Sequence, residues 1–170
     1  MPGSTLLISE VLKLVNDATS RQARVDLLKM HNSKSLRSIL KGTFDPKIEF
    51  ALPKTRPPFR ADDAPEGITP SSLFRETRKF NYLTKNNTAV KQTKKEEIFI
   101  TMLESVHEGE AEILLQMIEK KSKINGLTPR LVLEAIPGLF EMPPEKPKKP
   151  KTRKAKIVTE DQEENNEEGE

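Results

Sequence analysis

The residues of this chain best suited to chemistry are cations set among aromatic rings. Between Phe44 and Tyr82 runs FDPKIEFALPKTRPPFRADDAPEGITPSSLFRETRKFNY, in which Arg56, Arg60, Arg75, Arg78 and Lys79 alternate with Phe59, Phe74, Phe80 and Tyr82. Single-strand nucleic-acid binders use this combination: cationic groups follow the phosphates while bases stack on the rings. The same residues also suit a purely structural use. Phe74 and Phe80 would then face a core, with the arginines solvated or paired with Glu76, Asp62 and Asp63. A second run, Lys146, Lys148, Lys149, Lys151, Arg153, Lys154 and Lys156, reads as a polyelectrolyte arm able to neutralise phosphates without sequence preference. Its acidic neighbours, from Glu160 to Glu170, compete for those cations and favour a self-screened, solubilising tail.

Other chemistry is thinly represented. Asp62, Asp63 and Glu66 are close enough in sequence to suggest oxygen ligands, but DDAPEG lacks the alternating ligands and distant bidentate Glu of a calcium loop. A turn with exposed carboxylates is the plainer reading, and no metal or cofactor is expected. His31 and His107 are the two histidines. Both fall at predicted helix ends, where a cation would favour terminal carbonyls. There is no phosphate-binding glycine loop, nucleophile elbow or His-Glu-x-x-His pair. Cysteine is absent, which excludes disulfides, thiolate catalysis and Cys-ligated metals, and fits a reducing compartment.

Composition limits what can hold these groups. The chain has 170 residues, of which 34% are hydrophobic and 32% charged, with a net charge of +3. That leaves room for one ordinary core, built from Leu, Ile, Val and Met because there is no Trp and a single Tyr. MPGSTLLISEVLKLV has no basic stretch ahead of its apolar residues, so it does not read as a signal peptide, and no apolar run is long enough to span a membrane.

The periodicity is helical at both ends of the body. Leu7, Val11, Leu14, Val15 and Ala18 predict a helix over 5–17 capped by Ser4 or Thr5. Ser20 and Ser33 cap two more, the third containing Leu36, Ile39 and Leu40 and ending at Gly42. Asp45-Pro46 reads as a cap followed by a first-turn proline, and IEFAL is the one run that could pair as a strand. LFRETRKF predicts two to three helical turns, followed by a polar loop over 81–88. Thr93 and Glu96 have capping-box spacing ahead of a stripe of Ile98, Phe99, Met102, Leu103 and Val106. A second helix with Ala111, Leu114, Leu115 and Ile118 follows at once, so the two should form an antiparallel hairpin. Thr128-Pro129 opens a last helix with Leu131, Val132, Ala135 and Ile136, stopped by Pro137-Gly138, after which Leu139 and Phe140 can fold back.

The expected architecture is therefore an all-α, compact multi-helix domain over 4–140. Within it, 44–70 forms a long proline-rich connection returned to the core by Phe44, Ile48, Phe50, Leu52 and Phe59. A disordered tail, basic then acidic, occupies 141–170.

The order LRSILKGTFDPKIEFALP, PPFRADDAPEG, SSLFRETRKFNYL, EEIFITMLESVHEGEAEILLQMIEKK and GLTPRLVLEAIPGLF resembles a family of small uncharacterised proteins of large contractile-tailed bacteriophages, cyanophages among them. The resemblance covers roughly residues 5–140. It implies a phage origin and the cytoplasm of an infected bacterium, and it transfers no catalytic residue. The expectation is a non-enzymatic accessory protein acting by binding, to a protein of the nucleic-acid machinery or to nucleic acid itself. Arg56, Phe59, Arg60, Arg75, Arg78, Lys79 and the tail residues Lys148, Lys149, Lys151, Arg153 and Lys154 are its candidate contacts. A virion or assembly component is the alternative, and a small metal-dependent enzyme using Asp62, Asp63 and Glu66 the third.

Overall fold

Apolar residues at i, i+3, i+4 and i+7 give a helix a single sticky face, and the chain opens on such a helix. In α1 (Ile8–Asp17) the buried set is Ile8, Val11, Leu12 and Val15. The expected stripe through Leu7 and Leu14 is thus rotated, and Leu14 is 43% exposed. The computed structural model describes residues 6–62, 64–65 and 68–142. Ser4, Thr5, Asp63, Glu66 and the charged tail from residue 143 lie outside them. Leu7 caps α1 through its backbone, its N–H donating to Glu10 Oε2 at 2.6 Å.

Helices α2 (Arg21–Met30) and α3 (Lys34–Phe44) start as expected. The Ser20 and Ser33 hydroxyls accept the amides of Ala23 and Leu36, each at 3.1 Å, caps worth about 1 kcal/mol apiece. Gly42 does not end α3. The helix runs through it to Phe44, and the missing side chain admits Met117 and the Phe50 ring. Asp45 closes this helix rather than opening another: its N–H reaches Lys41 O at 2.9 Å and its carboxylate accepts the Lys47 N–H at 2.9 Å. This is a local Asx-type turn.

The proline-rich connection folds back on the core. Phe50 and Leu52 are buried, while Phe44, Ile48 and Phe59 pack partly buried against the same cluster. IEFAL pairs at a single antiparallel bridge, Phe50 to Thr84, flanked by Ala51 N–H to Leu83 O and Lys85 N–H to Glu49 O, both 2.8 Å. No strand forms among the described residues. Farther along, Asp62 bridges His107, and the Ser71 N–H donates to Ser105 O at 2.9 Å.

After Ser72 the chain coils continuously through α4 (Leu73–Glu76), a 3₁₀ turn (Thr77–Lys79) and α5 (Phe80–Leu83). Leu73, Glu76, Phe80 and Leu83 are buried, so residues 81–83, expected in the polar loop, belong to this coil. Helix α6 (Gln92–Ser105) begins without the expected capping box: Thr93 is already inside it, and Glu96 accepts from Gln92 Nε2 at 2.7 Å. Two residues later α7 (Glu108–Glu119) begins and packs against α6. Thr128 and Pro129 open α8 (Pro129–Ala135), whose cap oxygen accepts the Leu131 N–H at 3.3 Å. The Phe140 ring then stacks on Phe44 with centroids 6.3 Å apart.

Helix α2 packs on α8, α3 on α7, and α1 on both α2 and α7. One hydrophobic cluster results, with contributions from every α-helix. Lys95 lies within it at 4% exposure. Its ammonium donates to Thr84 O and Asn87 O, both at 2.7 Å, tying the loop after α5 to α6. Lys95→Met keeps the apolar stem but strands two carbonyls, so it should destabilise by about 1–2 kcal/mol. Urea denaturation checks this, with amide exchange at Thr84 to Asn87 rising selectively.

Candidate binding face

The coil of α4, the 3₁₀ turn and α5 has two sides. Leu73, Glu76, Phe80 and Leu83 are buried, Phe74, Thr77 and Lys79 are half-buried, and Arg75, Arg78 and Tyr82 are exposed, Tyr82 at 46%. Arg75 and Arg78 are three apart and Arg78 and Tyr82 four apart, the spacings that bring side chains together on one helical side. Two cations and an open aromatic ring thus share a surface.

The expected site residues divide by partner. Arg56 pairs with Glu112, Nη1 to Oε2 at 3.3 Å, and its guanidinium lies 5.4 Å from the centroid of the Phe59 ring. Lys79 pairs with the buried Glu76 at 2.7 Å. The carboxylates expected for the arginines are not the ones they use: Arg56 takes Glu112 on α7, and Glu76 takes Lys79 instead of an arginine. Asp62 instead accepts the Ala64 N–H at 2.9 Å. Arg75 and Arg78 have no ion pair or side-chain hydrogen bond among the described residues, and Arg60 is held through its backbone alone, N–H to Glu104 Oε1 at 3.5 Å. By contrast Arg21 grips Glu134, Arg24 caps the Val15 carbonyl and Arg37 binds Asn32.

Of the interleaved aromatics, Phe80 is core and Phe74 and Phe59 pack against it. Tyr82 is the ring left open to a partner. Arg60 and Arg75 both flank the α6–α7 corner, since Arg60 touches Glu104 and the segment leading to Arg75 is pinned by Ser71 to Ser105.

Beneath this face lies Glu110, at 0% exposure. Its Oε2 accepts the Leu73 N–H at 3.0 Å, so a carboxylate on α7 caps the start of α4. Oε1 has no hydrogen-bond partner among the described residues. Burial pushes this carboxyl above the usual carboxylate range; the Leu73 and Ile8 amides and His107 pull it down, and Glu10 pushes it up. His107 opens α7, its Nδ1 accepting the Gly109 N–H at 3.2 Å. That position at a helix start corrects the expectation of a cation at terminal carbonyls, whereas His31 does close α2. Glu110 and Lys95 were not anticipated as key polar groups. The available clue is register, because Glu110 precedes Ile113, Leu114 and Met117, and Lys95 precedes Phe99, Met102 and Leu103, at helical spacing.

Among the described residues no three carboxylates or imidazoles gather as a metal site, and no helix is long and apolar enough to cross a membrane. Residues 11–124, more than half of the chain, match the model of a family of unknown function, DUF6433, and the chain belongs to that family. The match takes in the arginine-bearing face and the buried Glu110 and ends before α8. No curated protein matches the chain.

Proposed function

We propose that this is a non-enzymatic accessory protein of a contractile-tailed bacteriophage, acting by binding in the cytoplasm of the infected cell. Its partner is nucleic acid or a component of the nucleic-acid machinery. The observation that carries this reading is the contrast among arginines. Arg21, Arg24, Arg37 and Arg56 are engaged by the fold, while Arg75 and Arg78 stand exposed beside Tyr82 without an intramolecular partner among the described residues. Guanidinium groups suit phosphate or carboxylate recognition, because they present several donors in a rigid plane, and an adjacent ring offers a stacking surface.

Fluorescence anisotropy with a short labelled single strand tests the reading. Binding should weaken with salt, and Arg75→Ala with Arg78→Ala should lower affinity at low salt while flattening the salt slope by about 1.4, the loss of two phosphate contacts. A charge-matched control, Lys29→Ala with Lys34→Ala, should leave binding near the parent's. No binding at low salt eliminates direct nucleic-acid contact. Capture from infected cells with and without nuclease then decides whether a protein partner takes its place.

A further inference from the structure

Between the end of α3, the returning connection and the end of α7 lies a hollow of about 470 Å³ that shares no residue with the arginine-bearing face. Phe44, Ile48 and Phe50 supply apolar wall, and the charged residues of the lining are Lys54, Lys85 and Lys120 together with Asp45 and Glu49. Its size falls within the roughly 300–1,000 Å³ of small-molecule sites, which combine apolar walls with a few converging polar groups.

The three lysines are differently committed. Lys120 follows α7 in the left-handed region, φ 57°. Its ammonium donates to Gly42 O and to Asp45 O, the latter at 3.0 Å, and lies 5.3 Å from the Phe50 ring centroid. An ammonium has three N–H groups, so one remains after the two carbonyls are served. Lys85 is paired with Glu49 at 2.8 Å. Lys54 has no ion pair or hydrogen bond among the described residues. Burial pushes Lys120 below its usual value, Asp45 and Glu49 pull it back up, and the Lys54 charge pushes it lower still. Of the two carboxylates in the lining, Glu49 is paired with Lys85, while Asp45 accepts the neutral Lys47 amide and keeps its charge beside Lys120. Three lysines against two carboxylates leave the lining with one net positive charge, and an anion held between Lys54 and Lys120 would offset it and relieve their mutual repulsion.

We propose that this hollow binds the phosphate of a nucleotide unit, with the phosphoryl group between Lys54 and Lys120 and the base against the wall formed by Phe44, Ile48 and Phe50. Lysine, a compact point charge, suits phosphate, and the ring and aliphatic wall suit a flat partner. The site is independent of the arginine-bearing face, so either can fail alone.

The test is an NMR titration of the full chain, labelled with nitrogen-15, against adenosine monophosphate, adenosine and inorganic phosphate. Adenosine monophosphate should give saturable shifts around Lys54, Lys85 and Lys120, and bind at least about tenfold tighter than either fragment alone. Lys54→Gln, at an exposed position, should weaken it about fivefold or more; Glu49→Gln, which frees Lys85, should tighten it about two- to fivefold. A 5′-phosphorylated trinucleotide separates the two sources of phosphate: tighter binding than the mononucleotide assigns the site to a strand end, weaker binding to a free nucleotide. The proposal is overturned by no saturable shift at about 10 mM, by unchanged affinity in Lys54→Gln, or by shifts centred on Arg75 and Arg78.

Discussion

Replacing Glu110 by alanine is expected to lower stability by about 2–3 kcal/mol and to loosen α4 first. The substitution strands the buried Leu73 N–H, which costs about 1–3 kcal/mol, and opens a small void where the carboxylate sat. Relief of the carboxylate's own desolvation offsets part of this. Glu110→Gln isolates the charge, because an amide oxygen can still accept the Leu73 N–H. It should fall within about 1 kcal/mol of the parent at neutral pH. The two variants also differ from the parent in pH dependence. Burial raises the folded-state value of Glu110 above its unfolded one, so the folded chain holds this proton more tightly. The associated stability is fully present below the unfolded value, near 4.5, and is lost as pH rises through the folded value. Denaturation measured across that window should show a falling component in the parent that Glu110→Gln lacks. Identical pH profiles would show that this carboxylate is not the source.

Gly42→Val is the second large effect, a loss of about 2 kcal/mol in urea denaturation. Glycine is a poor helix former, and valine would by itself gain a few tenths of a kcal/mol. Packing opposes and outweighs that gain. A Cβ at this position would lie 2.6 Å from Met117 Sδ and 3.3 Å from Phe50 Cζ, and Met117 is itself fully buried at 0% exposure, with little room to retreat. Overpacking of this kind costs about 1–3 kcal/mol. Met117→Ala should make room, so the double variant should lose less than the sum of the two single ones. A raised denaturation midpoint in Gly42→Val would show that Met117 moves aside.

These two residues also show where the sequence was legible. The caps at Ser20, Ser33 and Thr128 and the succession of α6 and α7 are readable because each rests on local chemistry: a hydroxyl three residues before an amide, or apolar residues at helical spacing. Gly42 reads locally as a stop, whereas its reason for being glycine is the approach of Met117, 75 residues distant in the chain. Asp45-Pro46 is ambiguous for a related cause, since a cap and a turn use the same Asp side chain and the incoming helix decides between them. In α1 two stripes overlapped at Val11 and Val15, and the positions of α2 and α7 selected the one through Ile8 and Leu12. The candidate face was half legible. Composition marked the cations, but Glu112 and Glu76, which engage Arg56 and Lys79 while leaving Arg75 and Arg78 available, are matched to them only by the fold.

The bridge between Phe50 and Thr84 has a consequence for how this chain can change. With Ala51 tied to Leu83 and Lys85 to Glu49, the two ends of the segment that holds the proline-rich connection, α4 and α5 are clamped side by side. Closure entropy grows only logarithmically, about 0.6 kcal/mol for each doubling of length. A short insertion among the exposed residues 53–55 is therefore expected to cost little in closure entropy, with the Ala51–Leu83 tie on one side and the Arg56–Glu112 pair on the other holding the flanking chain in place.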